Sequence, residues 1–307
     1  MSVEVVIPHT AGPERLQLVL TDLQDQTAGH GVCIVDNGAP SESREIARAA
    51  GARVVEMGSN AGFGQAVNEA VRTSDADLVV FLNDDCRPRP DFVEEVLTTG
   101  RESGAAMIAA VLLDPRGRID SAGVEADQSL IAYDYLHGAA YDPEAAPPPP
   151  LGPTGGAAGF DRAAFLGAGG FDERFFAYLE DVDLALRMRA AGQACAVAWR
   201  AVAVHHHSAT LGSGSVAKNR LMGESRGRLA AKWRPALPPG ARARGALLDA
   251  VTYAGKAAVD RNLGALRGRM AVRGEERHVV AADALEGIPL ADVSVREALR
   301  RRLARRR

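Results

Sequence analysis

Asn83-Asp84-Asp85 closes a short apolar run, Leu78–Leu82, and sets two carboxylates side by side. Adjacent carboxylates repel one another unless a cation sits with them. Oxygen ligands of this kind suit Mg²⁺ or Mn²⁺, ions that commonly share their coordination sphere with substrate phosphates. The plain alternative is a polar turn, favoured by Pro88 and Pro90 just downstream. Further along, Glu180 and Asp181 open a predicted helix over Asp181–Ala191, with Leu184 and Met188 on one face. In its first turn the macrodipole tolerates both charges. Asp183 has a structural use there, a pair with Arg187 one turn on. Asp181 has no such partner, and its neighbour Glu180 should raise its proton affinity, which suits a general base. His205-His206-His207 ends an apolar run, where alternation sends His205 and His207 to one side. One of the three, His205 foremost, could complete the metal site with a neutral nitrogen.

The elements that position these groups are legible from periodicity. Val3–Ile7, Val32–Val35, Arg53–Glu56 and Leu78–Leu82 are short runs of strand character. Between them lie helix-length segments: one starting at Pro13 with Leu16, Leu20 and Leu23 in phase, then Ser41–Ala50 and Gly62–Arg72. Strands of nearly continuous apolar character alternating with helices predict an α/β fold with a mostly parallel, doubly wound sheet. Ligands of such sheets sit at the carboxyl ends of the strands. Those ends are Pro8-His9, Asp36-Asn37 and Asn83-Asp84-Asp85, and all are polar. Asn60-Ala61-Gly62-Phe63-Gly64 precedes a helix, and its glycines would let backbone N–H groups approach an anion. It lacks the third glycine and the acidic residue of a dinucleotide fingerprint.

Downstream, Ala106–Leu113 reads as a strand, and Arg118–Val124 and Leu130–Leu136 as short, antiparallel ones. Pro147–Pro150 marks an exposed loop, followed by Gly155–Gly159 and a helix over Asp161–Leu166. Cys195–Trp199 and Ala201–Val204 read as two short strands. The chain has 307 residues and a net charge of -3, which hides an asymmetry. Residues 1–212 hold 15 basic and 30 acidic residues, whereas 213–307 hold 21 and 9. The division expected is a catalytic domain over 1–212 and a basic, mostly helical region over 213–307. Three separated cysteines give no disulfide framework or zinc knuckle. No apolar run reaches the roughly 18 residues that span a bilayer, and the start lacks signal-peptide character, so a cytoplasmic protein is expected.

Taken together, these segments resemble family 2 glycosyltransferases of the GT-A fold, particularly rhamnosyl- and galactofuranosyltransferase-like members. The resemblance rests on Val5–Pro8, Ile34–Gly38, Asn60–Asn68, Phe81–Asp85, Gly169–Phe176, and Glu180–Leu184 with His205, in family order over residues 3–210. It implies a GT-A, Rossmann-like nucleotide-diphospho-sugar transferase fold with a C-terminal helical appendage. It implies that Pro8 and His9 line the nucleotide pocket, that Asp36 contacts base or ribose, and that Asn60, Gly64 and Asn68 lie along the donor. Asp85 matches the last acid of the family's metal-binding Asp-x-Asp and Asp84 the middle position. Asp181 matches the catalytic base, beside Glu180, and Gly156 and Ala157 match the loop that meets sugar or acceptor. Asn83 stands where the first acid would be, which puts more weight on Asp85 and His205. His9-Thr10 replaces a common Thr-Tyr, which bears on recognition of the base.

The function expected is inverting, Mg²⁺- or Mn²⁺-dependent transfer from a dTDP- or UDP-sugar, rhamnose before galactofuranose. The acceptor would be a hydroxyl of a glycan, a lipid-linked glycan or a small molecule. The basic C-terminus, ending in Arg300–Arg307, suggests peripheral contact with anionic lipid at the inner membrane surface. The apolar stretch Leu247–Val259 suits a homodimer contact or a lid. Nucleic-acid binding is disfavoured because no aromatic stacking platform accompanies the arginines. The alternatives carried forward are a metal-dependent hydrolase and a non-catalytic nucleotide-sugar-binding module.

Overall fold

The computed structural model describes residues 1–206, 214–275, 279–294 and 296–298. His207 and Arg300–Arg307 lie outside the described residues. Two compact units emerge: Met1–Val124 with Asp134–Ala209, and Glu125–Tyr133 with Thr210–Arg307.

In the first unit, β1 (Val3–His9), β2 (Gly31–Asp36), β3 (Arg53–Glu56) and β4 (Leu78–Leu82) pair in parallel in the order β3-β2-β1-β4. Parallel neighbours need long crossovers. These are α1 (Pro13–Gln24), α2 (Ser41–Ala49) and α3 (Phe63–Arg72). α1 begins at Pro13, whose fixed φ and missing N–H are harmless at that position, and it buries Leu16, Val19, Leu20 and Leu23. Every residue of β4 is buried, which is why its run shows no alternation. The strand order reverses at β1, and the crevice beyond the carboxyl ends of the strands at such a reversal is where open α/β sheets bind ligands.

The sheet continues with β5 (Cys86–Pro88), β6 (Met107–Leu113), β7 (Ile119–Ser121), β10 (Ala157–Asp161) and β11 (Cys195–His205), after the hairpin β8 (Val124–Ala126) and β9 (Ala132–Asp134). Its order beyond β4 is β10-β6-β11-β5, with β7 on β6. Helices α4 (Phe92–Ser103), α5 (Arg162–Gly167) and α6 (Glu180–Ala190) complete this unit.

Three features correct the sequence reading. Gly155–Gly159 is not wholly loop, because Ala157 starts the central strand β10, antiparallel to both β4 and β6. Its Ala-Ala-Gly start has little strand propensity, yet a Cβ on Gly159 would sit 2.6 Å from Val96 Cγ1, so only glycine fits. Pro88 belongs to a strand, which it can because β5 is the sheet's edge. The two runs from Cys195 form one strand with a register shift between Val197 and Val202.

The second unit holds α7 (Val216–Trp233), α8 (Pro239–Val259) and α9 (Gly264–Ala271). Ser215 caps α7 by accepting from Lys218 N at 3.1 Å. α7 and α9 touch through glycine: a Cβ on Gly223 would lie 2.0 Å from Ala265 O, and one on Gly268 2.0 Å from Arg220 O. Buried Asp249 takes Arg226 at 2.9 Å and Arg234 at 2.5 Å. Glu125–Tyr133 groups with these helices, although the sequence reading keeps that stretch within 1–212. Leu130 and Ser129 carbonyls accept from Arg226 there.

Candidate active site

The turn Asn83-Asp84-Asp85 leads from β4 into β5, closed by Cys86 N donating to Asn83 O at 3.1 Å. Three strand registers then assemble a cluster: His205 faces Cys86, Val204 faces Leu113, and Leu113 faces Ile119. They deliver His205 between two carboxylates. Its Nε2 lies 3.4 Å from Asp85 Oδ1 and its Nδ1 2.8 Å from Asp120 Oδ2. Burial would lower the imidazole pKa, but the hydrogen bonds that Asp120 and Asp85 accept from it outweigh this and lift it to about 9. Asp85, Cys86 and His205 each place a donor atom within 4.8 Å of the others. Burial, reinforced by Asp85, pushes the Cys86 thiol well up, so it stays protonated and is a poor partner for a hard cation. What remains is one carboxylate and one imidazole whose far nitrogen is fixed by a second carboxylate, the usual support of a metal-bound histidine. Asp85 and His205 therefore fit a divalent cation with positions open to phosphate oxygens.

Asp84 turns elsewhere. Its Oδ2 lies 2.6 Å from His9 Nδ1 and its Oδ1 3.5 Å from Arg15, while His9 Nε2 reaches Ser43 Oγ at 3.1 Å. His9, expected to line the nucleotide pocket, is wholly buried and holds Asp84 in place. Pro8 before it is half-buried. Asp36, expected at base or ribose, also has partners within the protein: Oδ1 accepts from Ala39 N at 2.8 Å and Gly38 N at 3.2 Å, and Oδ2 pairs with Arg44 at 2.5 Å.

The Asn60–Gly64 loop is pinned by Asn37, which accepts from Ala61 N at 2.8 Å and donates to Asn60 Oδ1 and Gly62 O. Asn60 Oδ1 also accepts from Gly62 N, leaving the rest of this exposed residue at the surface. Gly62 has φ +89°, and a Cβ there would stand 2.5 Å from Phe176 O, so glycine is obligatory. Gly64 lies under Phe171, 2.9 Å from where its own Cβ would be. Buried Asn68 accepts from Phe171 N at 2.8 Å and donates to Phe171 O at 2.9 Å and Glu173 at 3.0 Å. Gly64 and Asn68, expected along the donor, thus dock α3 onto the 171–176 loop.

That loop feeds α6 through two consecutive left-handed residues, Tyr178 at φ +71° and Leu179 at φ +67°. Such conformations cost about 1–3 kcal/mol each and collect at functional sites. They launch Glu180 and Asp181. Asp181 Oδ2 accepts from Gly155 N at 3.1 Å and Oδ1 from Val182 N at 2.8 Å. Burial lifts its pKa to about 6, against those backbone hydrogen bonds and with help from Asp134. Burial is thus a larger cause than the Glu180 neighbour invoked from sequence. Glu180 rises further, to about 8, through burial and then Asp181. Its Oε2 is buried without a hydrogen-bond partner. Asp183 makes the expected pair with Arg187 at 2.8 Å.

One short segment joins the two chemical ends. Gly155 N donates to Asp181, and the next residue's carbonyl, Gly156 O, accepts from Asn83 N at 3.1 Å. Ala157 departs from its expected loop role: it is buried in β10 opposite Leu82. Sequence reasoning missed Asp120, Arg15 and Asp134. Asp120 sits between Ile119 and Ser121 in a short strand, with no spacing that ties it to His205.

Residues 4–136 match the family described as Glycosyl transferase family 2. The chain is 29% identical over 238 residues to an N-acetylglucosaminyl-diphospho-decaprenol L-rhamnosyltransferase of Mycobacterium tuberculosis, covering 68% of this chain and 76% of that protein. In fold it is similar to S. aureus TarS 1-349 in complex with UDP-GlcNAc, at a TM-score of 0.55 and 17% identity, over 75% of this chain. The match spans 66% of that chain's length. GalNAc-T7, solved with UDP, GalNAc and Mn²⁺, gives a TM-score of 0.56 at 13% identity, covering 75% of this chain and 50% of that one. These neighbours show the GT-A fold.

Proposed function

Because residues 4–136 match the family 2 glycosyltransferases and the chain is similar to a rhamnosyltransferase, we propose that it carries out metal-dependent, inverting transfer of a hexosyl group. The donor is a dTDP- or UDP-sugar, with rhamnose favoured over galactofuranose. The acceptor is a hydroxyl of a glycan, lipid-linked or small-molecule substrate, and the lipid-linked class is favoured by the rhamnosyltransferase relative, named for a diphospho-decaprenol. The observation that carries the reading is the arrangement of two carboxylate sites on neighbouring residues of one segment. Asp85 with His205 lies at the end tied to Gly156 through Asn83, and Asp181 at the end tied to Gly155.

Asp85 and His205 would hold Mg²⁺ or Mn²⁺, which when bound offsets the charge that builds on the departing nucleoside diphosphate. Asp120 keeps the His205 ring in the orientation that presents Nε2. Asp181, its proton affinity raised by burial, accepts the proton of the acceptor hydroxyl as that oxygen attacks the anomeric carbon. The new C–O bond forms on the face opposite the breaking bond to the diphosphate, whose oxygen takes the electron pair, so the configuration inverts. The two backbone N–H groups on Asp181 fix its lone pairs and hold the carboxylate for that step. Glu180, protonated by its surroundings, offers a hydrogen bond from an otherwise unpartnered buried carboxyl to the bound sugar.

Thermal shifts against a panel of nucleotide sugars, with and without Mn²⁺, test the donor site. Stabilisation by one nucleoside diphosphate and its sugar, dependent on Mn²⁺ and lost in Asp85→Ala, is expected. A shift indifferent to the ion, or none with any nucleotide, would overturn the reading.

A further inference from the structure

The second unit carries a surface that sugar transfer does not use. Along α8, Ala243, Leu247, Ala250, Val251 and Ala254 are exposed and recur at the three- and four-residue spacing of one helical face. Leu247 is 60% exposed and Val251 44%. Leu266 and Met270 of α9 are exposed as well. A groove runs between the two helices, walled by Ala250 and Ala254 on one side and by Leu266 and Met270 on the other. Arg234, Arg269 and Arg273 also line it. Two of its lining residues carry buried polar atoms without a partner, Tyr253 Oη and Arg234 Nε.

The exposed charges within the two helices have one sign. Within α8 and α9 the only acid is Asp249, which is buried and shared by Arg226 and Arg234. Asp260, just after α8, accepts from Asn219 at 2.9 Å. An exposed apolar stripe of this length is uncommon on a protein that meets only water. Beside a cluster of arginines, it has the composition of a helix that lies in the boundary between lipid headgroups and acyl chains.

We propose that the α8–α9 face is a docking surface for an anionic phospholipid membrane. The apolar stripe enters the headgroup boundary, and the groove arginines with Tyr253 receive a lipid phosphate. This reading goes beyond sugar transfer and stands or falls without it. It also moves the expected membrane contact from the terminal arginines to a folded surface.

Co-sedimentation of the full chain with phosphatidylglycerol vesicles, against phosphatidylcholine vesicles, is the test. Binding to the anionic vesicles is expected, and it should weaken with salt by about fivefold for each basic contact screened. Leu247→Glu with Leu266→Glu should lower partitioning at least about thirtyfold, since both side chains leave the interface and bring charge. Both positions are exposed, so the fold should survive, as a melting curve would verify. If that pair melts early, Arg273→Gln, in the groove and also exposed, should lower anionic binding by about fivefold. Failure of the unaltered protein to bind phosphatidylglycerol, or binding indifferent to these variants, would overturn the proposal. So would a vesicle-inert dimer that Leu247→Glu splits, which would make the face a contact between copies.

Discussion

Glu180→Gln separates a carboxyl kept for chemistry from one that merely fills space. Glu180 is 7% exposed, its Oε2 has no partner, and burial followed by Asp181 lifts its pKa from 4.5 to about 8. Below the ordinary value both folded and unfolded chains are protonated, and the carboxyl costs nothing. Between there and about 8 the unfolded chain ionises while the folded one keeps its proton, so stability falls as pH rises. Each unit of difference is worth about 1.4 kcal/mol, and relaxation of the site takes back part of it. Between about pH 5 and about pH 8, Glu180→Gln should therefore gain about 1–3 kcal/mol relative to the unaltered protein. The amide's own burial cost is the same at both pH values and cancels in that difference. At about 2–4 °C per kcal/mol, the variant's relative Tm should climb by several degrees across this range, readable in a thermal melt at each pH. An equal Tm difference at both pH values would refute the claim that the folded protein holds this proton.

Other substitutions follow from the same geometry. Asp120→Asn keeps the shape beside His205 but removes the charge that orients it, so Mn²⁺ affinity should drop about 10–100-fold by calorimetry, with the fold intact by circular dichroism. Asn37→Ala removes three hydrogen bonds that hold residues 60–62, and chemical denaturation should show a loss of about 1–3 kcal/mol together with weaker nucleotide binding. Turnover at saturating donor should fall as pH drops through about 6, since Asp181 must be unprotonated to accept the acceptor's proton.

The parallel half of the sheet was legible because β1, β2 and β4 are mostly buried and read as nearly continuous apolar runs. β10 was not, because its Ala-Ala-Gly start is chosen for close approach to Val96 and Ile108 rather than for strand propensity. Asp85 and His205 were paired through the resemblance to the family's metal motif, and the register of β5 on β11 brings them together. Asp120 escaped because its link to His205 runs through the pairing of β7 and β11 with a common neighbour, which no local spacing encodes. His9, Asp36 and Asn68 look like ligand contacts in sequence, being polar residues at strand ends or on a helix next to a glycine loop. Their side chains engage Asp84, Arg44 and Phe171, partners that no spacing in the sequence announces.

Release of nucleoside diphosphate and the anomeric configuration of the product, followed by NMR with the stabilising donor and an acceptor, bear most directly on Asp181 as the base. The unaltered protein should give a single inverted product, and Asp181→Asn should slow its formation about 10²–10⁴-fold while still binding donor and Mn²⁺. A retained configuration, or an Asp181→Asn variant as fast as the parent, would contradict single displacement with Asp181 as its base.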